Sequence, residues 1–278
     1  FYPGSAVTAA AALPKPPVPD AGRDEAEYAV LYAAFRRLVE HWADSAERPS
    51  ALEELVALRA GSLVERVLSG LGLDLERALE ILARRDDFPS QQERERRDIL
   101  VAGLENMIDF AAAEEWSMCC ELPEELHEEE YELCDGIFDR YNGRRAAQEN
   151  LDVQFAASMA AWWITLSPEL MLTFTTQGDE RVRPGHAALE GVSYPKHEFP
   201  AELIPPIEYG CRCYLTPTGA AAVAGAAVVD TTEIDPVFGE SLCRGGRIFS
   251  AAHPYFRHPL PPALQRYVDT VKQKFHLP

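Results

Sequence analysis

The stretch TTQGDERVRPGHAALEGVSYPKHEFPAELIPPIEYGCRC, residues 175–213, decides how the chain divides. It packs Asp179, three arginines, His186, paired prolines and a Cys-x-Cys into one segment without a helical apolar period. From Leu166 onward prolines become frequent, at Pro168, Pro184, Pro195, Pro200, Pro205 and Pro206, and each removes a backbone donor and fixes φ. Between them lie short β-prone runs, MLTFTT, CRCYLTP and RIFSA, bounded by turn residues. Residues 166–278 therefore read as a compact, loop-rich α+β unit, closed by a helix through Leu264, Tyr267, Val268 and Val271.

Upstream the grammar is helical. Tyr28, Leu31, Phe35, Leu38 and Trp42 alternate three- and four-residue steps, the spacing of one helical face, and predict a helix from Asp24 to about Asp44. Leu52 to Leu68 repeats the pattern, with Gly70 and Gly72 as a stop signal, and Leu75, Leu79 and Leu82 continue it. Ser90 with Glu93 matches a capping box and opens a helix reaching about Trp116. Pro123, followed by Glu124 and Glu125, predicts another helix, ended by Asn142 and Gly143, and a further one spans about Arg144 to Trp163. The first residues, with Pro14, Pro16, Pro17 and Pro19, read as an extended arm. The expected organisation is an arm over 1–23, a helical region over 24–165 and an α+β unit over 166–278. The fold class is α+β, a mainly helical N-terminal region followed by a small loop-rich domain.

At 278 residues with 47% apolar content the chain buries a real core. The longest apolar window, Ala220 to Val229, has about half the roughly 20 residues a membrane span needs, so no membrane partner is expected. The start lacks a basic and a strongly apolar region, and no secretory signal is expected. A net charge of −19 argues against nonspecific DNA contact, except through the tail, where Arg257, Arg266, Lys272 and Lys274 face only Asp269. The segment Asp98 to Asp139 holds fourteen carboxylates and no Lys or Arg, and reads as a solvated helical face or a surface for a basic partner. Six cysteines are too sparse for a disulfide scaffold, and Cys119, Cys120 and Cys134 read as packed thiols.

The chain lacks a Gly-rich phosphate loop, a nucleophile elbow, a His-Glu-x-x-His helix and paired Cys-x-x-Cys knuckles. The order Thr176, Asp179, Arg181-Val182-Arg183, His186, Leu189, Gly191, Pro205-Pro206 and Gly210-Cys211-Arg212-Cys213, then His253-Pro254-Tyr255, resembles the MuF-like family of phage head morphogenesis (minor capsid) proteins. The resemblance covers 175–215 and, more weakly, 236–256; Phe174 stands near where the family often has a Trp. It implies a low-copy virion component of the capsid interior or portal vertex, assembled in the host cytoplasm during procapsid formation. Its implied partners are the portal protein, the major capsid protein or both. It implies no enzymatic activity.

The residues themselves admit two structural readings. On an extended strand Cys211 and Cys213 face the same side, and His186 and Asp179 would complete a tetrahedral zinc site. Alternatively the segment is a hydrogen-bonded knot in which Asp179 accepts from Arg181 or Arg183, His186 meets a carbonyl, and the cysteines are buried fillers or a disulfide. A third reading makes the Asp/His/Cys set the active site of an enzyme or toxin-associated module, but nothing in the sequence supplies an oxyanion site. His253 before Pro254 reads as a structural turn residue.

Overall fold

Asp24 starts the first helix where the pattern places it. Its Oδ1 accepts from the Ala26 and Glu27 N–H groups at 3.0 and 3.1 Å, and α1 runs Glu25–Glu40. The computed structural model describes residues 24–84, 88–218 and 234–277; the expected arm, 1–23, and the Ala220–Val229 window lie outside the described residues. Helix α2 spans Glu47–Leu71 and buries Leu55, Leu63 and Val67 completely. Gly72, at φ 67°, closes it: Gly72 N–H bonds Ser69 O and Leu73 N–H bonds Leu68 O, so two otherwise orphaned carbonyls are satisfied. Gly70 is no stop signal. A Cβ there would sit 2.5 Å from Ala157 Cβ, so glycine lets α2 cross α6 (Ala146–Ile164) closely.

Helix α3 is Leu75–Ala83, but Leu75 and Leu79 are exposed, and Ala78, Ile81 and Leu82 are its buried face. Ser90 caps α4, Gln91–Glu121, by accepting from Glu93 N–H at 3.2 Å. The helix runs past the expected end at Trp116 because its second half is the hub of the molecule. From Leu100 to Cys119 it is buried nearly all round, between α2, α6 and the C-terminal segment.

Two expectations downstream of α4 fail. Pro123 opens no helix; helical structure resumes with a short 3₁₀ turn at Glu128–Glu130 and α5, Tyr131–Phe138. Asn142 and Gly143 do not end it either, since a π-helical turn, Asp139–Arg145, carries the chain straight into α6. Both residues are buried: Asn142 donates to Glu115 Oε2 at 3.2 Å, and a Gly143 Cβ would meet Asp139 Oδ1 at 2.8 Å. The pair marks close packing.

The sheet is small and antiparallel, in the order β2-β1-β3, from β1 Met171–Thr175, β2 Ser193–Pro195 and β3 Tyr214–Thr218. On β1, Leu172 and Phe174 point into the core while Thr173 and Thr175 form a hydroxyl ladder with Ser193, Thr216 and Thr218. The architecture is α+β, mainly helical with a small sheet. RIFSA is not a strand. Ile248 and Phe249 donate backbone N–H groups to Asn106 Oδ1 at 2.8 and 3.0 Å, which ties that segment to α4. Helix α7 is the short Pro184–Ala187, and the closing helix α8, Pro262–Lys274, packs Leu264 and Val268 against α4 and α2. The change of local structure near residue 166 is thus no break in packing, because one core cluster includes residues from both sides of it.

The acidic segment is not uniformly solvated. Glu114 and Glu115 are fully buried, and Arg59, also fully buried, reaches Glu114 Oε2 at 2.7 Å, Asn150 Oδ1 at 2.7 Å and Glu27 Oε1 at 3.0 Å. Glu121, Glu124, Glu125, Glu129 and Glu132 remain exposed. Cys119 and Cys134 are buried thiols as expected, whereas Cys120 is exposed. The basic tail is partly spent internally: Lys272 Nζ lies 2.8 Å from Asp109 and 3.7 Å from Glu105 on α4. Among the described residues no helix is long and apolar enough to cross a membrane.

Candidate functional site

Sheet topology brings the motif together. The chain leaves the C-terminal end of β1 at Thr175, runs through 176–192 and returns as β2; β3 begins at Tyr214, paired with Thr175. The β1–β2 loop and the segment entering β3 therefore share one end of the sheet, so Asp179, Arg183 and His186 meet Glu208 to Cys213. Gly191, at φ 85°, turns the loop back and donates its N–H to Phe174 O at 2.9 Å. Pro205 and Pro206, joined by a cis bond, are buried on the approach to Glu208.

At the centre, His186 is 8% exposed, Cys211 1% and Cys213 3%. The His186 Nδ1 atom lies 3.4 Å from Cys213 Sγ and 4.0 Å from Cys211 Sγ, while Nε2 lies 3.0 Å from Glu208 Oε2. Both cysteines are free thiols. They precede β3 in irregular chain, not on a strand as expected, yet still converge on one nitrogen. Burial pulls the His186 pKa down, but Cys211 and Glu208 outweigh it and hold it above the ordinary 6.5. Burial pushes the Cys211 thiol up, but hydrogen bonds with Cys213 and His186 win and leave it well below its usual value. Its neighbour pushes the Cys213 thiol up, and burial adds to that.

Around this centre the charged residues pair with each other. Asp179 does not join the thiols: Arg212 grips both its oxygens at 2.7 Å, Arg181 N–H donates to Oδ1 at 3.1 Å, and the carboxyl is held below its usual range by Arg212 first. That is the expected Asp–Arg knot with a different arginine. Arg183 donates to Tyr209 O at 2.8 Å and lies 3.3 Å from Glu208 Oε2, so Arg183, Glu208 and His186 form one chain of contacts. His186 meets a carboxylate, not the expected carbonyl. His253 and Tyr255 lie in an aromatic cluster with Phe110 and Phe249, and Tyr209 meets the His253 ring edge-on from the motif side. His253 caps its turn by accepting from Tyr255 N–H at Nδ1, 3.2 Å, which agrees with a structural role.

Two residues of the site escape sequence reasoning. Glu208 orients His186 but sits in Ile-Glu-Tyr-Gly, where a lone carboxylate carries no signal. Asp152 lies on α6, far away in sequence, and accepts from Gly210 N–H with both oxygens at 3.0 and 3.1 Å. Gly210, at φ 66°, adopts the left-handed turn this requires. Burial raises the Asp152 pKa to about 8, against the opposing pull of Gln148 and Gly210. A separate cavity of about 530 Å³ is lined by Glu149, Tyr209, Asp235, His253 and Arg257, with Glu149 raised well above its usual range by burial and by Glu114.

A 44-residue segment of this chain is 52% identical to an uncharacterized protein of Methanocaldococcus jannaschii. The aligned segment is 16% of this chain and 7% of that protein's length. No family model matches the chain, and no solved structure matches it.

Proposed function

We propose that this chain is a minor capsid, head morphogenesis protein of the MuF-like type, a low-copy virion component acting at the portal vertex during procapsid assembly. Its partners are the portal protein, the major capsid protein or both. The observation that carries the reading is how the motif spends its polar groups: Asp179 on Arg212, Arg183 on Tyr209 O and Glu208, His186 on Glu208. The motif works as an internal clasp that holds two loops and, through Asp152, helix α6. Such a part suits a protein whose task is to present surfaces.

An enzyme that uses a motif cysteine as nucleophile is disfavoured. Cys211 and Cys213 are 1% and 3% exposed, so an incoming carbonyl reaches neither sulfur. The exposed carboxylates Glu124, Glu125, Glu129 and Glu132 form the surface offered to a basic face of a portal or coat subunit. Co-purification of the full chain with the portal protein of its own phage tests the reading. Retention is expected, weakening as salt rises and after removal of residues 1–23. Failure to co-purify with portal or coat protein at low salt removes the reading; unchanged retention after the deletion removes the arm from it.

A further inference from the structure

We propose that His186 Nδ1, Cys211 Sγ and Cys213 Sγ bind one zinc ion, with Glu208 as the carboxylate that orients the histidine. This goes beyond the head-assembly reading and does not depend on it. The three ligand atoms lie within 4.8 Å of one another, and among the described residues no fourth side chain joins them. Zinc holds a histidine nitrogen at about 2.0–2.1 Å and a thiolate at about 2.3 Å, so the nitrogen–sulfur edge of its tetrahedron is about 3.6 Å. The two observed separations, 3.4 and 4.0 Å, bracket that edge.

Ring orientation and donor set agree with the distances. Nε2 faces Glu208 and Nδ1 faces the sulfurs, so with the ion bound Nε2–H would donate to Glu208 and Nδ1 would be the ligand atom. A ligating histidine almost always has such a partner on its second nitrogen. Arg183, 3.3 Å from the same carboxylate oxygen, holds Glu208 in place. Two sulfurs and one imidazole select zinc over magnesium or calcium, which take oxygen donors. The site is also held from outside, because Asp179–Arg212 and Asp152–Gly210 fix the chain on both sides of Cys211 without using a ligand. The ion would join the β1–β2 loop to the segment entering β3, so its binding free energy would add to folding free energy.

The test measures the metal content of the full chain purified under reducing conditions. The metal is then removed with a chelator and replaced with Co²⁺ alone, followed through the sulfur-to-cobalt charge-transfer band. One zinc per chain and a strong band are expected. Cys213→Ser loses the band, Cys120→Ser, at an exposed thiol outside the site, keeps it, and Glu208→Gln keeps it with affinity lower by about 10–100-fold. Because Cys213 is buried, the wild-type chain and the Cys120 and Glu208 variants, at exposed and partly exposed positions, carry the decision. A wild-type chain with neither metal nor band overturns the proposal, as does loss of the band in Cys120→Ser or a Cys211–Cys213 disulfide under the same conditions. A chain that binds portal but no metal overturns this site alone; one that binds metal but neither portal nor coat protein overturns the head-assembly reading alone.

Discussion

His253 illustrates what burial does to a single residue. It is 2% exposed, and burial together with Arg145 lowers its pKa from 6.5 to about 4. Between those values the unfolded chain binds a proton at this ring and the folded chain does not, so stability falls as pH drops from 6.5 toward 4. The shift corresponds to about 3 kcal/mol at its limit. His253→Asn keeps an acceptor for Tyr255 N–H and removes the titration. Urea unfolding across that pH range is expected to show a flatter acid limb in the variant. Glu149, which faces the ring at 3.9 Å and has a raised pKa, contributes the opposite slope to both proteins, so their difference isolates His253. An identical slope would mean that the ring is protonated in the fold.

At the scale of elements, four helices meet at Arg59. Its guanidinium lies on α2 and contacts Glu27 on α1, Glu114 on α4 and Asn150 and Glu149 on α6. Burial pushes the Glu115 carboxyl well above its ordinary range, and the neighbouring charge of Glu114 adds to it. Arg59→Met leaves Glu114 buried without its cation, and loss of one partner of a buried pair costs about 3–5 kcal/mol. Equilibrium unfolding should register that loss and recover part of it in the double variant with Glu114→Gln. A single variant as stable as wild type would show that the network is dispensable. The elements differ in how much of this was legible beforehand. Asp24, Ser90 and the Leu52–Leu68 face announce their helices because caps and 3.6-residue periodicity are local. The run from Asp98 to Asp139 misleads, because its local pattern does not say that Arg59, about fifty residues away, meets Glu114. Asn142-Gly143 misleads for the same reason, as its meaning depends on Tyr28, Asp139 and Glu115.

For the whole molecule, Asn106 is one attachment point of the C-terminal segment on α4. Its Oδ1 accepts from Ile248 and Phe249 N–H, and its Nδ2 donates to Phe249 O at 3.0 Å. Asn106→Leu strands those backbone groups at a cost of about 1–3 kcal/mol each, whereas Asn106→Asp keeps the acceptor. Hydrogen exchange should show early loss of protection over residues 248–257 in the leucine variant, and less in the aspartate one. Uniform change over the whole chain would mean that the segment unfolds only with the rest.

The amino-acid sequence by itself determined what depends on near neighbours: the helix starts at Asp24 and Ser90, the Leu52–Leu68 face and the α+β class; of the four residues grouped as one site, His186, Cys211 and Cys213 come together and Asp179 does not. Only the tertiary structure decided which groups meet. It gave Asp179 to Arg212, put Glu208 behind His186, sank Glu114 and Glu115 into the core and turned RIFSA into a segment held by Asn106. Backbone periodicity is written over a few residues. The partner of a buried charge or a lone pair is set by chain segments that become neighbours only once the core has closed.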